Sequence, residues 1–453
     1  MSTIAAISTA PGIGGRGIVR MSGKECFDIL DKFFKPISDK PIKGYSIKYG
    51  KIYDNDEVVD EVLVSYFIGP KSYTTENMCE INSHGGMIVM KKILDVCLKN
   101  GADLAEPGEF TKRAFLNGRI DLTLAEAVID VINSKTEKEA KASMNQLEGY
   151  LSKKIKEIRE DLISGMADIE VSIDYPEYDV EEVTNTKILE ILDRNAKRLN
   201  ELEKSFSSGK ILREGVKTAI IGRPNAGKSS LLNLLLNEER AIVTEIPGTT
   251  RDTIEEFVTI EGVPLKLIDT AGIRDAKDEV EKIGIAKSKE IAKNADFIIA
   301  IFDSSQNLSP DDLQILNIIK GRTAIIVLNK MDLETKIAEN TPEITQACSH
   351  IVKMSTLQQE GLNDLYKTIS DMFNVEEINV DNDIIITNLR HKNLISKALD
   401  SCYKAKDAMQ NNMPLDIMAI FMREILENLG NITGEIVTDD IIDEIFSKFC
   451  LGK

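Results

Sequence analysis

The stretch AIIGRPNAGKSSLLN, residues 219–233, decides the reading of the middle of the chain. An apolar run ends at Gly222, Gly227-Lys228-Ser229 follows after four residues, and a leucine-rich segment comes next. This Gly-x4-Gly-Lys-Ser spacing, between a strand and a helix, reads as a phosphate-binding loop. Its glycines let backbone N–H groups face phosphates, and the helix N-terminus adds positive potential. The Lys228 ammonium reaches the outer phosphates, and the Ser229 hydroxyl is suited to ligate Mg²⁺. Asn225, Ala226 and Ser230 belong to the same loop and are expected nucleotide contacts.

Working outward, the apolar runs KTAIIG, PLKLID, ADFIIAIFD, TAIIVLN and HIVKMS alternate with helical segments, the pattern of a doubly wound parallel sheet. In LIDTAG, Asp269 ends a strand where a carboxylate holds Mg²⁺ through water. Thr270 and Ala271 follow it, and the Gly272 N–H is placed to sense a γ-phosphate. VLNKMD supplies Asn329, Lys330 and Asp332. The Asp332 carboxylate matches the N1–H and N2–H₂ donors of guanine, so GTP is expected over ATP. KMSTLQ brings Ser355 and Thr356 behind the base, in place of the commoner Ser-Ala-Lys. EIPGTTRDT offers Thr249 and Thr250 as switch threonines that complete a Mg²⁺ shell when the γ-phosphate is present. No glutamine follows DTAG; Ile273 and Arg274 do, which leaves Glu279 and Glu281 as candidates to orient water. A solvated acidic turn is the alternative for that run.

Length and composition bound the rest. A chain of 453 residues exceeds what one core usually serves, and about three domains are expected. The formal charge of −18 disfavours a protein that coats nucleic acid unaided. The cysteines, Cys26, Cys79, Cys97, Cys348, Cys402 and Cys450, form no C-x-x-C pair, so neither a zinc site nor a disulfide framework is signalled. The N-terminus lacks a basic, apolar leader, and no apolar run reaches the ~18 residues of a membrane span. A cytoplasmic location with no membrane anchor is expected. Residues 1–118 read as an α+β module, 119–213 as long amphipathic helices, 214–376 as the α/β nucleotide domain, and 377–453 as returning helices. The architecture expected is a P-loop GTPase domain inserted in a helical domain, behind an N-terminal α+β domain.

GRPNAGKSSLLN, AIVTEIPGTTRD, DTAGIRDAKDEVEKIGI and NKMD together resemble the nucleotide domain of the tRNA-modification GTPase MnmE (TrmE) family. GIGGRGIVRMSG, INSHGG, PGEFTKRAFLNGRIDLTLAEA and NITGEIVTDDIIDEIFSKFCLGK extend the likeness to nearly the whole chain. Arg119 stands where some relatives are expected to carry lysine, and the positive charge is kept.

The resemblance implies a homodimer built through an N-terminal folate-binding domain. It implies work with the FAD-dependent flavoprotein MnmG, in a heterotetramer or larger complex, to place an aminomethyl or carboxymethylaminomethyl group on C5 of the tRNA wobble uridine. The tRNA is then held mainly through that partner. The one-carbon unit comes from a tetrahydrofolate derivative, 5-formyl or 5,10-methylene. Also implied is K⁺-stimulated hydrolysis by paired nucleotide domains, with K⁺ held by Asn225 and the carbonyls of Thr244, Ile246 and Thr249. Mg²⁺ falls to Ser229 and Thr250, and Glu281 becomes the residue that orients water.

KFCLGK resembles the family's terminal Cys-x-Gly-Lys motif, near the folate pocket. A pterin edge suits Glu80, and a folate tail suits Arg20, Arg119 or Lys453. Cys450 reads equally as a catalytic thiol and as a buried packing thiol. His84 in SHGG reads as a turn residue beside the pocket; His350 and His391 read as structural. Two rival readings remain: a ribosome-assembly or RNA-chaperone GTPase switch, which would usually add a basic RNA-binding module, and a mechanical GTPase at membranes, which would need an anchor.

Overall fold

The computed structural model describes residues 1–38, 41–42, 44–174, 181–237, 256–268, 284–373, 384–411 and 413–453. They pack as two compact units. The first comprises Met1–Ile132, Asn145–Ala196 and Lys397–Lys453; the second comprises Asn133–Met144 and Lys197–Ser396.

In the first unit, strands β1 (Ile4–Ile7), β2 (Gly14–Ser22), β3 (Phe34–Pro36), β4 (Ser46–Asp54), β5 (Glu57–Phe67), β6 (Met78–Gly85) and β7 (Asp103–Leu104) form one sheet. Their order is β3-β4-β5-β6-β2-β1-β7. All described pairings are antiparallel except β1 with β7. Alternation decides the faces: Val19, Met21, Val62, Val64, Tyr66, Cys79 and Ile81 point to a core closed by Ile93 and Val96 of the helix Met87–Lys99. The intervening residues face the other way, and there the register sets Arg20 of β2 directly opposite Glu80 of β6. His84 lies in β6 and not in a turn, because the ladder runs on until Gly85 meets Gly14.

The helical part of this unit follows from spacing. Ile155, Ile158, Leu162 and Ile169 line the buried stripe of the helix Tyr150–Asp174, while Met418, Met422, Ile425, Leu429 and Ile432 line that of Leu415–Thr433. A Cβ built on Gly165 would stand 3.3 Å from the Met422 side chain, so the two helices cross closely at that glycine. The short helix Asp439–Phe446 then delivers Phe446 and Phe449 into a cluster with Leu122 and Ala125. Burial of each phenylalanine contributes about 1.5–3 kcal/mol. This fixes where the last residues of the chain must run.

In the second unit, β8 (Val216–Ile221), β9 (Glu256–Ile260), β10 (Val263–Leu267), β11 (Phe297–Asp303), β12 (Ala324–Asn329) and β13 (Ile351–Lys353) form a sheet in the order β13-β12-β11-β8-β10-β9. Every residue of β11 and β12 is buried, as strands covered on both faces require. The sheet is not wholly parallel, as the apolar runs led one to expect: β9 pairs antiparallel with β10 at one edge. The connection between them is Glu261-Gly262, both at positive φ (43° and 79°), a tight hairpin turn. β8 lies between β10 and β11, so successive crossovers diverge beside it and open a crevice at the strands' carboxyl ends. Among the described residues no helix is long and apolar enough to cross a membrane.

Candidate functional site

The crevice is bordered by the loop that follows β8. Asn225 takes φ 61° and Gly227 takes φ 110°, which turns the backbone toward the helix Lys228–Asn237. A Cβ at Gly227 would fall 2.1 Å from the Asn329 amide, so only glycine admits the base-side loop so close. Lys228 Nζ donates to the Gly222 and Arg223 carbonyls at 2.9 and 2.8 Å. Burial pushes its pKa down from the ordinary lysine value, and a phosphate there would supply the missing counter-charge. Ser229 and Ser230 are exposed on the first turn of that helix, and Asn225 is exposed in the loop.

Asn329, fully buried, spends its amide on the protein. Nδ2 donates to the Ala226 carbonyl at 2.8 Å and to Thr356 Oγ1 at 3.2 Å, and Oδ1 accepts the Thr356 N–H at 3.0 Å. It thereby joins three loops. Asp332 is exposed, and its Oδ1 accepts from the buried Ser355 hydroxyl at 2.6 Å, which aims the carboxylate. Lys330 points elsewhere: its Nζ donates to Asp303 Oδ2 at 2.7 Å. Burial pushes the Asp303 pKa up, but Lys330 and the Ser305 donors outweigh it, and the carboxyl stays below the ordinary aspartate range. Sequence reasoning assigned nothing to Asp303; the one available signal was an acid closing an apolar strand in register with Asn329. Thr244, Ile246, Thr249, Thr250, Asp269, Thr270, Ala271, Gly272, Glu279 and Glu281 lie outside the described residues.

The first unit gathers the remaining candidates. Arg20 Nε and Nη2 donate to Glu80 Oε1 at 3.0 and 2.7 Å, and Nη1 donates to the Gly452 carbonyl at 2.9 Å. Ser8 Oγ donates to the same carbonyl at 3.0 Å, and the Gly108 N–H reaches the Cys450 carbonyl at 3.4 Å. Gly452 takes φ 84°, and a Cβ there would meet the Ile7 carbonyl at 2.3 Å; the tail seats because this residue is glycine. Tyr73 stands between two guanidinium groups, with Arg119 4.8 Å and Arg20 5.8 Å from its ring centroid. Arg119 also donates to the Tyr73 carbonyl at 2.9 Å.

Lys453 is half-buried. Burial, and then the Arg20 charge, press its pKa below the ordinary lysine value, while Glu80 and Cys450 oppose the shift. Cys450 itself is exposed, which corrects the packing-thiol reading. His84 is exposed too, with Nδ1 2.7 Å from Asp60 Oδ1. The sequence carries no local signal for Ser8, which meets Gly452 444 positions away, or for Tyr73, which meets Arg20 and Arg119 only in the folded chain. The patch sets three cationic side chains against the Glu80 carboxylate, in a chain of net charge −18. Such a donor set suits an anionic ligand.

Comparison with known proteins gives matches along nearly the whole chain. Residues 3–119 match the family described as GTP-binding protein TrmE N-terminus, and residues 122–450 match the MnmE helical domain. Among curated relatives, the tRNA modification GTPase MnmE of Clostridioides difficile (strain 630) is 50% identical, over 100% of this chain and 99% of its own. The protein of that name from Acetivibrio thermocellus is 49% identical over the same shares. The one from Alkaliphilus oremlandii is 48% identical, again over 100% and 99%. Among solved structures, the G domain of the T. maritima FeoB iron transporter is 26% identical over 35% of this chain and 98% of its own, with a TM-score of 0.25.

Proposed function

Because the chain belongs to the tRNA modification GTPase MnmE family, we propose that it hydrolyses GTP and uses that cycle to modify C5 of the wobble uridine of tRNA. The group installed is aminomethyl or carboxymethylaminomethyl, with the one-carbon unit drawn from a tetrahydrofolate derivative and with a flavoprotein of the MnmG type as partner. We assign residues 1–118 to folate binding and dimerisation, 119–213 and 377–453 to the helical scaffold, and 214–376 to the nucleotide domain. The working form is a cytoplasmic homodimer joined to the flavoprotein, which presents the tRNA.

One observation carries this reading past a plain GTP switch. Arg20, Glu80 and the Gly452 carbonyl are joined by hydrogen bonds of 2.7–3.0 Å, and the tail that brings them together also carries the exposed Cys450 thiol and Lys453. A switch has no need of such a cluster. Arg20, Arg119 and Lys453 would bind the folate carboxylates, and Glu80 would exchange its bond to Arg20 for the pterin edge. A bound folate would supply the one-carbon unit, which Arg20, Arg119, Lys453 and Glu80 would orient, and the exposed Cys450 thiol lies on the same tail as Lys453.

On the nucleotide side, Asp332 reads guanine, steadied by Ser355, and Lys228 meets the outer phosphates. Asn329 holds the phosphate loop to the base-side loop. Ser229 with Thr250 would hold Mg²⁺, which neutralises phosphate charge. Asn225 with the carbonyls of Thr244, Ile246 and Thr249 would hold K⁺, and Glu281 would orient the attacking water. Hydrolysis in KCl and in NaCl tests the cation: the rate should fall in sodium, whose smaller radius misfits a carbonyl cage. Mass spectrometry of wobble uridines from a strain lacking this gene tests the reaction. Loss of the C5 group, restored by the intact chain, is expected; unaltered uridines would defeat the reading.

A further inference from the structure

Arg223 is the second residue of the phosphate loop, and its guanidinium is not left for a ligand. Nη2 donates to Gln306 Oε1 at 2.7 Å, and Nη1 stands 3.6 Å from Asp312 Oδ2, a charge contact too long for a hydrogen bond. Gln306 passes the connection on, since its Nε2 donates to Asp303 Oδ2 at 3.2 Å. That same oxygen accepts from Lys330. A continuous path of side chains therefore runs from the phosphate loop, through Gln306 and Asp303, to the Asn-Lys-Met-Asp loop at the base side.

The two aspartates that anchor the path are buried. Asp303 and Asp312 are 3% and 1% exposed. Ser305 donates to Asp303 from its N–H at 3.1 Å and its hydroxyl at 2.6 Å. Ser309 donates to Asp312 from its N–H at 2.9 Å and its hydroxyl at 2.7 Å, a capping box at the head of the helix Pro310–Ile319. Lys330 is held as well: it sits at φ 66°, a conformation rare outside glycine that persists only where its surroundings impose it. Asn329 supplies a second tie between the same two loops, at the Ala226 carbonyl. An ordinary core ion pair would stabilise one element. Here the bonds end on the two loops that would grip opposite ends of one nucleotide.

We propose that Arg223 and Gln306 are positioning residues for nucleotide retention: they clamp the phosphate loop to the base-side loop and so set the rate at which bound nucleotide leaves. The inference rests on the GTP reading above and concerns the same site. Its test is release of a fluorescent GDP analogue, chased with excess GDP, from the full chain and from Gln306→Ala, Arg223→Gln and the double variant. Gln306 is exposed, so its truncation spares the core.

Each single change should speed release about tenfold, equivalent to about 1.4 kcal/mol. The double variant should be no faster than the faster single one, because both break one path. The thermal midpoint of the nucleotide-free Gln306→Ala chain should stay at the parent value, which separates positioning from support of the fold. Release within twofold of the parent in both single variants, or fully additive effects in the double one, would overturn the clamp while leaving GTP binding intact. Failure of the parent chain to bind the analogue at all would instead remove the GTP reading, and the clamp with it.

Discussion

Arg20 and Gly452 lie 432 positions apart in the chain, yet the guanidinium of the first donates to the carbonyl of the second at 2.9 Å. The N-terminal sheet and the end of the chain therefore form one patch. Gly452 occupies a left-handed conformation against the Ile7 carbonyl, so Gly452→Val should unseat the tail at a cost of about 1–3 kcal/mol. The expected outcome is loss of most wobble-uridine modification with GTP turnover near that of the parent, measured side by side on the same preparation.

Phe449 sets the limit of any truncation. It is buried with Phe446, Leu122 and Ala125, so Phe449→Ala should cost about 3–5 kcal/mol of stability, visible as an earlier urea midpoint. A chain ending at Phe449 keeps that core and loses only Cys450–Lys453. It should lose only the tail's own hydrogen bonds, about 1–3 kcal/mol, and fail to modify tRNA.

Base selectivity should follow Asp332. Replacing its carboxylate in Asp332→Asn provides an amide that donates to the extra carbonyl of xanthine, so preference should move from guanosine to xanthosine nucleotides. Ser355→Ala removes the hydroxyl that aims Asp332 and should weaken GTP binding about tenfold without changing which base is preferred. Competition binding with both nucleotides reads the two effects.

The Lys453 amine should titrate below an ordinary exposed lysine, first because it is half-buried and then because Arg20 faces it. Its folded pKa is depressed, so the folded state binds fewer protons than the unfolded one between that pKa and about 10.4. Stability should then rise with pH through that window. Glu80→Gln, which removes a charge favouring the ammonium, should lower the Lys453 pKa further, and Arg20→Ala should raise it. NMR titration of the isotopically methylated lysine follows all three.

The phosphate loop and the strands β8, β10, β11, β12 and β13 were legible because both faces of the sheet are covered, leaving unbroken apolar runs between turn residues. The edge strand β9 escaped notice: EFVTI alternates in burial, and its only local marker is the Glu261-Gly262 turn. The glycines after His84 suggest a turn, whereas the register of β2 on β6 carries the strand past it. The candidates Arg20, Glu80, Arg119 and Lys453 were found by resemblance. That Glu80 is held by Arg20 depends on cross-strand register, which composition does not encode. The exposure of Cys450 depends on where Phe446 and Phe449 anchor the tail, a long-range fact. Arg223, Gln306 and Asp303 were invisible as a set because their link exists only in the folded chain.

On this reading the tail and the N-terminal sheet form the modification site, served by a nucleotide domain with a separate task. Quantifying C5-modified wobble uridine by mass spectrometry, in a gene-deleted strain carrying either the intact chain or the chain ending at Phe449, tests this most directly. The same purified proteins are assayed for GTP hydrolysis. Full hydrolysis by both and modified uridine only with the intact chain are expected; modified uridine at the parent level from the shortened chain would contradict a modification site built on the tail.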